Sequence, residues 1–201
     1  MRATRIVIVL AAGSMLSVLL GASAGAGPLD HPGYAKSLTC SACHGAAGNS
    51  RSDSMPIIAG MSPAYFKKQM DAYAAGKRPS PEMEPYAKMV IVLGVDDVAG
   101  YFAQQTMDPT PIVSSAGTIE RGRMAAAQCA LCHGPEGKGD VAKLIPSLAG
   151  QPPGYLRNQM ILFKQDKRNP GDATLNAVKA LMRQISDETY ADLAAYYSSV
   201  Q

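Results

Sequence analysis

The chain offers few groups able to do chemistry, and most of them come in two matched sets, Cys40-Ser41-Ala42-Cys43-His44 and Cys129-Ala130-Leu131-Cys132-His133. Together these sets hold all four cysteines and two of the three histidines, leaving His31 apart. Paired cysteines in an exported protein ordinarily form disulfides. A Cys-x-x-Cys also serves as a redox dithiol, but that use belongs to a βαβ setting that this sequence lacks. A four-cysteine zinc site places its two pairs about 12 to 20 residues apart, whereas these pairs stand 89 apart. The histidine directly after each second cysteine changes the weighting, because Cys-x-x-Cys-His is the attachment pattern of c-type haem. On a helical turn, two thiols at that spacing can each add to a haem vinyl group. The next residue then presents an imidazole to the iron from the same side. Two haem c groups, with iron bound by His44 and His133, are the expected cofactors.

The elements that position these motifs are written twice. Pro56-Ile57-Ile58-Ala59-Gly60 returns as Pro146-Ser147-Leu148-Ala149-Gly150 at an offset of 90. Tyr65, Gln69, Met70, Lys77 and Arg78 recur at the same offset as Tyr155, Gln159, Met160, Lys167 and Arg168. Tyr101-Phe102 answers Tyr196-Tyr197 at an offset of 95, so the second copy holds about five extra residues after Arg168. Within each copy the pattern predicts helices joined by long loops. Ser62-Pro63 is a cap followed by proline at the first helical position, and Gly76 is a stop. The counterpart helix starts near Pro153 and runs past Phe163. Each copy closes on an amphipathic helix with an acidic first turn, Asp96-Asp97 and then Ser186-Asp187-Glu188, which suits the helix dipole. Strand-like alternation is nearly absent, so the expected class is all-α with two lobes.

The division that follows is a signal peptide over 1–24, a first lobe over 25–105, a linker over 106–115 carrying Pro109 and Pro111, and a second lobe over 116–201. The leader reading rests on Arg2 and Arg5, an apolar run from Ile6 to Leu20, and the small-residue sequence Ala22-Ser23-Ala24. The run is short for a membrane span of about 20 residues. Export to the periplasm is therefore expected, with a retained anchor as the alternative. Loss of Arg2 and Arg5 lowers the formal charge from +3 to +1. That balance argues against nucleic acid, which calls for a concentrated basic stripe. Three Phe and no Trp leave the aromatic supply thin. A lobe of roughly 80 residues needs help to fill a core, and a covalently held porphyrin supplies a large apolar body.

From about residue 33 to the C-terminus the chain resembles the dihaem cytochrome c4 family, two class I cytochrome c lobes in tandem. The residues that carry the resemblance are the two Cys-x-x-Cys-His-Gly motifs with Gly48 and Gly137 nearby, Pro-x-x-Ala-Gly, the Tyr-x-x-x-Gln-Met helix, Lys-Arg, and the closing helix with paired aromatics. The resemblance implies that Pro56 and Pro146 offer their carbonyls to the proximal imidazoles, orienting each ring and raising its basicity. A simple turn is the alternative role for both prolines. With only His31 spare, methionine is the expected distal ligand, and a thioether raises the reduction potential. In the family pattern that methionine sits about 18 residues before the tyrosine of the closing helix, which from Tyr101 is Met83. Met89 is the runner-up and otherwise a core residue. The same count in the second copy falls on Val178, and the window Ala173 to Val178 has no methionine. Met182 is the nearest substitute, Lys179 with a neutral amine is the second candidate, and an open or water-ligated iron is the third.

The resemblance implies a periplasmic carrier that passes single electrons between redox protein partners, from a dehydrogenase or respiratory complex to an oxidase or reductase. The alternative is a dihaem electron-accepting subunit of a dehydrogenase or respiratory complex. Membrane association would come only through such a partner or an uncleaved leader. A haem enzyme acting at the second iron is the third reading. Dihaem peroxidases generally use further histidines, of which only His31 remains here, and thiosulfate-oxidising dihaem cytochromes use an extra cysteine, which this chain does not have to spare.

Overall fold

The computed structural model describes residues 27–168 and 174–201. The proposed leader lies outside the described residues. Among the described residues there is no strand, only an isolated antiparallel bridge between Asp140 and Ile145. The all-α expectation holds.

The first lobe opens with α1 (Tyr34–Ser37). A 3₁₀ turn, Leu38–Cys40, leads directly into α2 (Ser41–His44). Gly45, at φ +76°, stops α2 immediately after the histidine, a backbone geometry that favours glycine. Next comes α3 (Pro63–Ala74), which starts as the sequence indicates: Ser62 Oγ accepts from the Tyr65 amide, and Pro63 occupies the first turn. It ends before Gly76, at φ +68°. The closing element differs from expectation by reaching further upstream. It is α4 (Met83–Ala103), bent at Gly94, whose φ of 112° takes it out of the helix. Asp96 and Asp97 therefore stand in the first turn of the segment beyond the bend. Phe66, Met70, Val98 and Phe102 bring α3 and α4 into one buried core.

The second lobe repeats the plan. Ser115 caps α5 (Ala116–Ala125) through the Thr118 amide. The haem motif ends α6 (Ala127–His133), and Gly134 at φ +76° repeats the stop seen at Gly45. Then α7 (Pro153–Lys164) has the same bounds as α3 at the offset of 90. Where the first copy has a single bent element, the second has α8 (Thr174–Arg183) and α9 (Asp187–Ser199), with Ser186 capping α9 through the Thr189 amide. Leu156, Tyr190, Leu193 and Tyr197 form its core.

In both copies the opening segment meets the closing helix at a glycine, Gly33 just before α1 and Gly122 within α5, a pairing that the spacing of residues does not reveal. A Cβ on Gly33 would fall 2.0 Å from the Asp97 carbonyl oxygen, and one on Gly122 would fall 2.0 Å from that of Asp192. The two glycines are 89 apart, the same offset as the haem motifs.

Candidate haem sites and the lobe interface

Each Cys-x-x-Cys-His runs along one helical turn that ends at the histidine, so the side chains of the two cysteines and the imidazole project from one short stretch of backbone. His44 is 6% exposed. Its Nδ1 lies 2.8 Å from the Pro56 carbonyl oxygen. In the second lobe, His133 Nδ1 lies 2.9 Å from the Pro146 carbonyl oxygen. A carbonyl can only accept, so each ring carries its proton on Nδ1 and turns Nε2, with its lone pair, outward. Burial holds both imidazoles below their ordinary pKa despite the carbonyl contact, which keeps them neutral, the form a metal can use. Burial also pushes the Cys40 and Cys129 thiols up.

The first site opens on a cavity of about 480 Å³ lined by Cys40, Cys43, His44, Pro56, Met83 and Arg78, with apolar walls from Ile58, Phe66 and Val90. Cofactor pockets run to roughly 300–1,000 Å³, so the space suits a flat group of tetrapyrrole size. The thiols could bond to the vinyl groups of a haem, and neutral imidazole and thioether are axial donors of the cytochrome c type. Met89 is half-buried against the core and does not line this cavity. In the second lobe, Met182 and Cys129 both pack on the same core, as half-buried side chains. The Met182 carbonyl accepts from the Tyr190 hydroxyl. Lys179, 4% exposed, is paired with Asp166.

The two lobes meet through a pattern that also repeats. Gln69 Oε1 accepts from Arg78 Nη1 at 2.8 Å and from Arg168 Nη2 at 2.9 Å. Gln159 Oε1 accepts from Arg168 Nη1 at 2.8 Å and from Arg78 Nη2 at 2.9 Å. Arg78 also donates to the Tyr155 hydroxyl and Arg168 to the Tyr65 hydroxyl. Duplication has placed matching patches against each other, as in a two-fold dimer. Both arginines are buried, at 4% and 7% exposed. Among the described residues neither is paired with a carboxylate, and Arg78 Nε has no partner at all. Buried cations normally have a counter-charge. Arg78 stands in the wall of the first cavity, where the propionates of a haem would supply one. The electropositive character of the spot is visible in Tyr155: burial pushes its phenol up, yet Arg78 and Arg168 outweigh that and hold it below its ordinary value. Both arginines are visible in the sequence as repeated residues, but this contact is not, because nothing in the spacing says that one copy faces the other.

Two helical lobes, each with a thiol pair and a carbonyl-oriented imidazole on one turn, define a c-type cytochrome with two haems. Comparison with known proteins agrees. The family model for cytochrome c matches residues 119–201. Cytochrome c4 of Pseudomonas aeruginosa is 32% identical over 172 residues, covering 82% of this chain and 85% of that protein. A thiosulfate dehydrogenase electron acceptor of Stutzerimonas stutzeri is 30% identical and covers 81% of this chain and 79% of that protein. The crystal structure of reduced recombinant cytochrome c4 from Pseudomonas stutzeri superposes with a TM-score of 0.76 at 24% identity, over 84% of this chain and 97% of the other. The chain belongs to the cytochrome c4 family, and is a dihaem c-type electron-transfer protein.

Proposed function

We propose that the protein is an exported electron carrier whose first haem is attached at Cys40 and Cys43 and bound by His44 and Met83. The second haem is attached at Cys129 and Cys132 and bound by His133 and Met182. The observation that carries the reading is the single cavity shared by Cys40, Cys43, His44 and Met83. Pro56 and Pro146 orient the two imidazoles. Met182 is preferred to Lys179 at the second iron because it packs on the same core as Cys129, whereas Lys179 is engaged by Asp166. When bound, the haems supply one-electron iron chemistry, so the side chains need only ligate, bury and orient, with no catalytic acid, base or nucleophile. The lobes are taken as 25–105 and 116–201, with 106–115 as linker and 1–24 as a cleaved leader. No described helix is long and apolar enough to cross a membrane. A dihaem acceptor subunit is the second reading, favoured by the similarity to a thiosulfate dehydrogenase electron acceptor.

The test is chemical. After denaturing extraction with acidified organic solvent, haem should stay on the polypeptide, and the mass should exceed the mature chain by two haems. Release of free haem from either lobe would overturn the attachment assignment. Co-purification with a large dehydrogenase would move the protein from carrier to subunit.

A further inference from the structure

The peptide unit that receives the His44 proton is shared with the other lobe. Its oxygen is the Pro56 carbonyl, 2.8 Å from His44 Nδ1. Its nitrogen is the Ile57 amide, which donates to Gln151 Oε1 of the second lobe at 3.0 Å. Gln151 Nε2 in turn donates to the Ile57 carbonyl at 2.8 Å. These two bonds leave the orientation of the Gln151 amide unambiguous, since the Ile57 amide can only donate and its carbonyl can only accept. Gln151 is 7% exposed and Ile57 is fully buried, so water does not compete for either bond.

From this geometry we infer that Gln151 is a positioning residue for the first haem, setting the strength of the His44–Pro56 hydrogen bond from across the lobe interface. The inference rests on His44 being the proximal ligand. The physics is polarisation along a hydrogen-bonded chain: accepting from one end of a peptide makes the oxygen at its other end a better acceptor. A better acceptor at Pro56 draws the Nδ1 proton of His44 away from the ring and makes Nε2 a stronger donor. A stronger donor favours ferric iron and lowers the potential of the first haem.

The arrangement is one-sided. At the repeat offset of 90 the counterpart of Gln151 is Met61, which has no side-chain amide with which to return the contact to Ser147. The two haems therefore differ on the proximal side, independently of their distal ligands. The lobe that carries Gln151 tunes the other lobe's haem and receives no tuning from the matching position.

The experiment is a redox titration of the full haem-loaded protein, with each haem's potential followed through the paramagnetically shifted ring protons of its own histidine. Two variants are compared with the wild type. Gln151→Leu removes both amide bonds. Asp53→Ala removes a different inter-lobe contact, that of Asp53 Oδ1 with the Gly154 amide at 2.8 Å, and leaves the Pro56–Ile57 peptide untouched. In Gln151→Leu the potential of the His44 haem should rise and its Nδ1 proton resonance should shift, while the His133 haem stays where it was. Asp53→Ala should leave both potentials unchanged. Equal shifts in the two variants would show that lobe loosening, not the peptide, sets the potential, and the inference would fall. An unmoved His44 haem in Gln151→Leu would overturn it too. Unshifted His44 ring protons in the wild type would mean instead that His44 does not ligate iron, a failure of the site assignment that this readout tells apart.

Discussion

Met83 and Met89 lie six residues apart on α4 and meet different surroundings. Met83 faces the cavity with Cys40 and His44, while Met89 packs on the core. Only a thioether turned into the cavity can reach an iron held by His44. Met83→Ala should therefore remove the first haem's share of the weak near-infrared sulfur-to-iron band and lower that haem's potential. Met89→Ala should leave the band intact and cost only stability, about 2–5 kcal/mol for a truncated buried methionine and less where it is half-exposed. The reverse outcome would show that Met89 is the ligand. At the second iron, Met182→Ala should abolish the remaining share of the band. If Lys179→Ala does so instead, the lysine and not the thioether completes the site. Met83 was singled out beforehand through the spacing that the family resemblance implies, counted from Tyr101. The choice at the second site was not, since an insertion of about five residues breaks the count.

Between elements, the crossing of α5 on α9 depends on Gly122. A methyl group there would meet the Asp192 carbonyl oxygen at 2.0 Å, a backbone atom that cannot rotate away. Gly122→Ala should cost about 1–3 kcal/mol or more, as overpacking does, and lower the melting temperature by roughly 2–4 °C per kcal/mol. A melting temperature equal to the wild type's would refute the close approach. A contact between elements also holds α8. Asp166 takes the left-handed place after α7 at φ +58°, where the first copy has Gly76. The change from glycine to aspartate brings in a carboxylate that pairs with Lys179 on α8. The Lys179 contact holds the Asp166 carboxyl below the usual carboxylate range. A depressed carboxylate contributes stability above its unfolded pKa and loses it as pH falls through the folded value. Hydrogen-exchange protection of α8 should therefore be full near neutrality and decline below about pH 4, the ordinary aspartate range. In Asp166→Gly the backbone is unstrained but the charge is gone, and protection should already be reduced at neutral pH. Protection independent of pH in the wild type would show that the pair does not anchor α8.

For the molecule as a whole, the duplicated patches let the lobes dock through a ring of two arginines and two glutamines. Arg78→Gln removes a buried positive charge from the wall of the first cavity. Loss of positive charge near a haem stabilises ferric iron, so the potential of the first haem should fall in a spectroelectrochemical titration, with a smaller change at the second. An unchanged first potential would mean that Arg78 only holds the lobes together. Arg78→Lys should restore part of the charge effect but not the ring, because an ammonium cannot span Gln69, Gln159 and Tyr155 as a planar fork does.

The sequence by itself determined what is local or repeated. The haem motifs, the cap at Ser62, the stop at Gly76 and the two-lobe all-α plan all follow from neighbouring residues or from the offsets between copies. These features depend on backbone conformation and residue type within a turn or two, which a linear pattern records. Tertiary structure alone decided that Gly33 and Gly122 lie against the backbone of the closing helices, that Arg78 and Arg168 face one another across the lobes, and that Gln151 grips the peptide behind His44. Those contacts join residues 64 to 103 positions apart. Their energies come from burial and hydrogen-bond geometry after docking, and no spacing along the chain encodes which surfaces will meet.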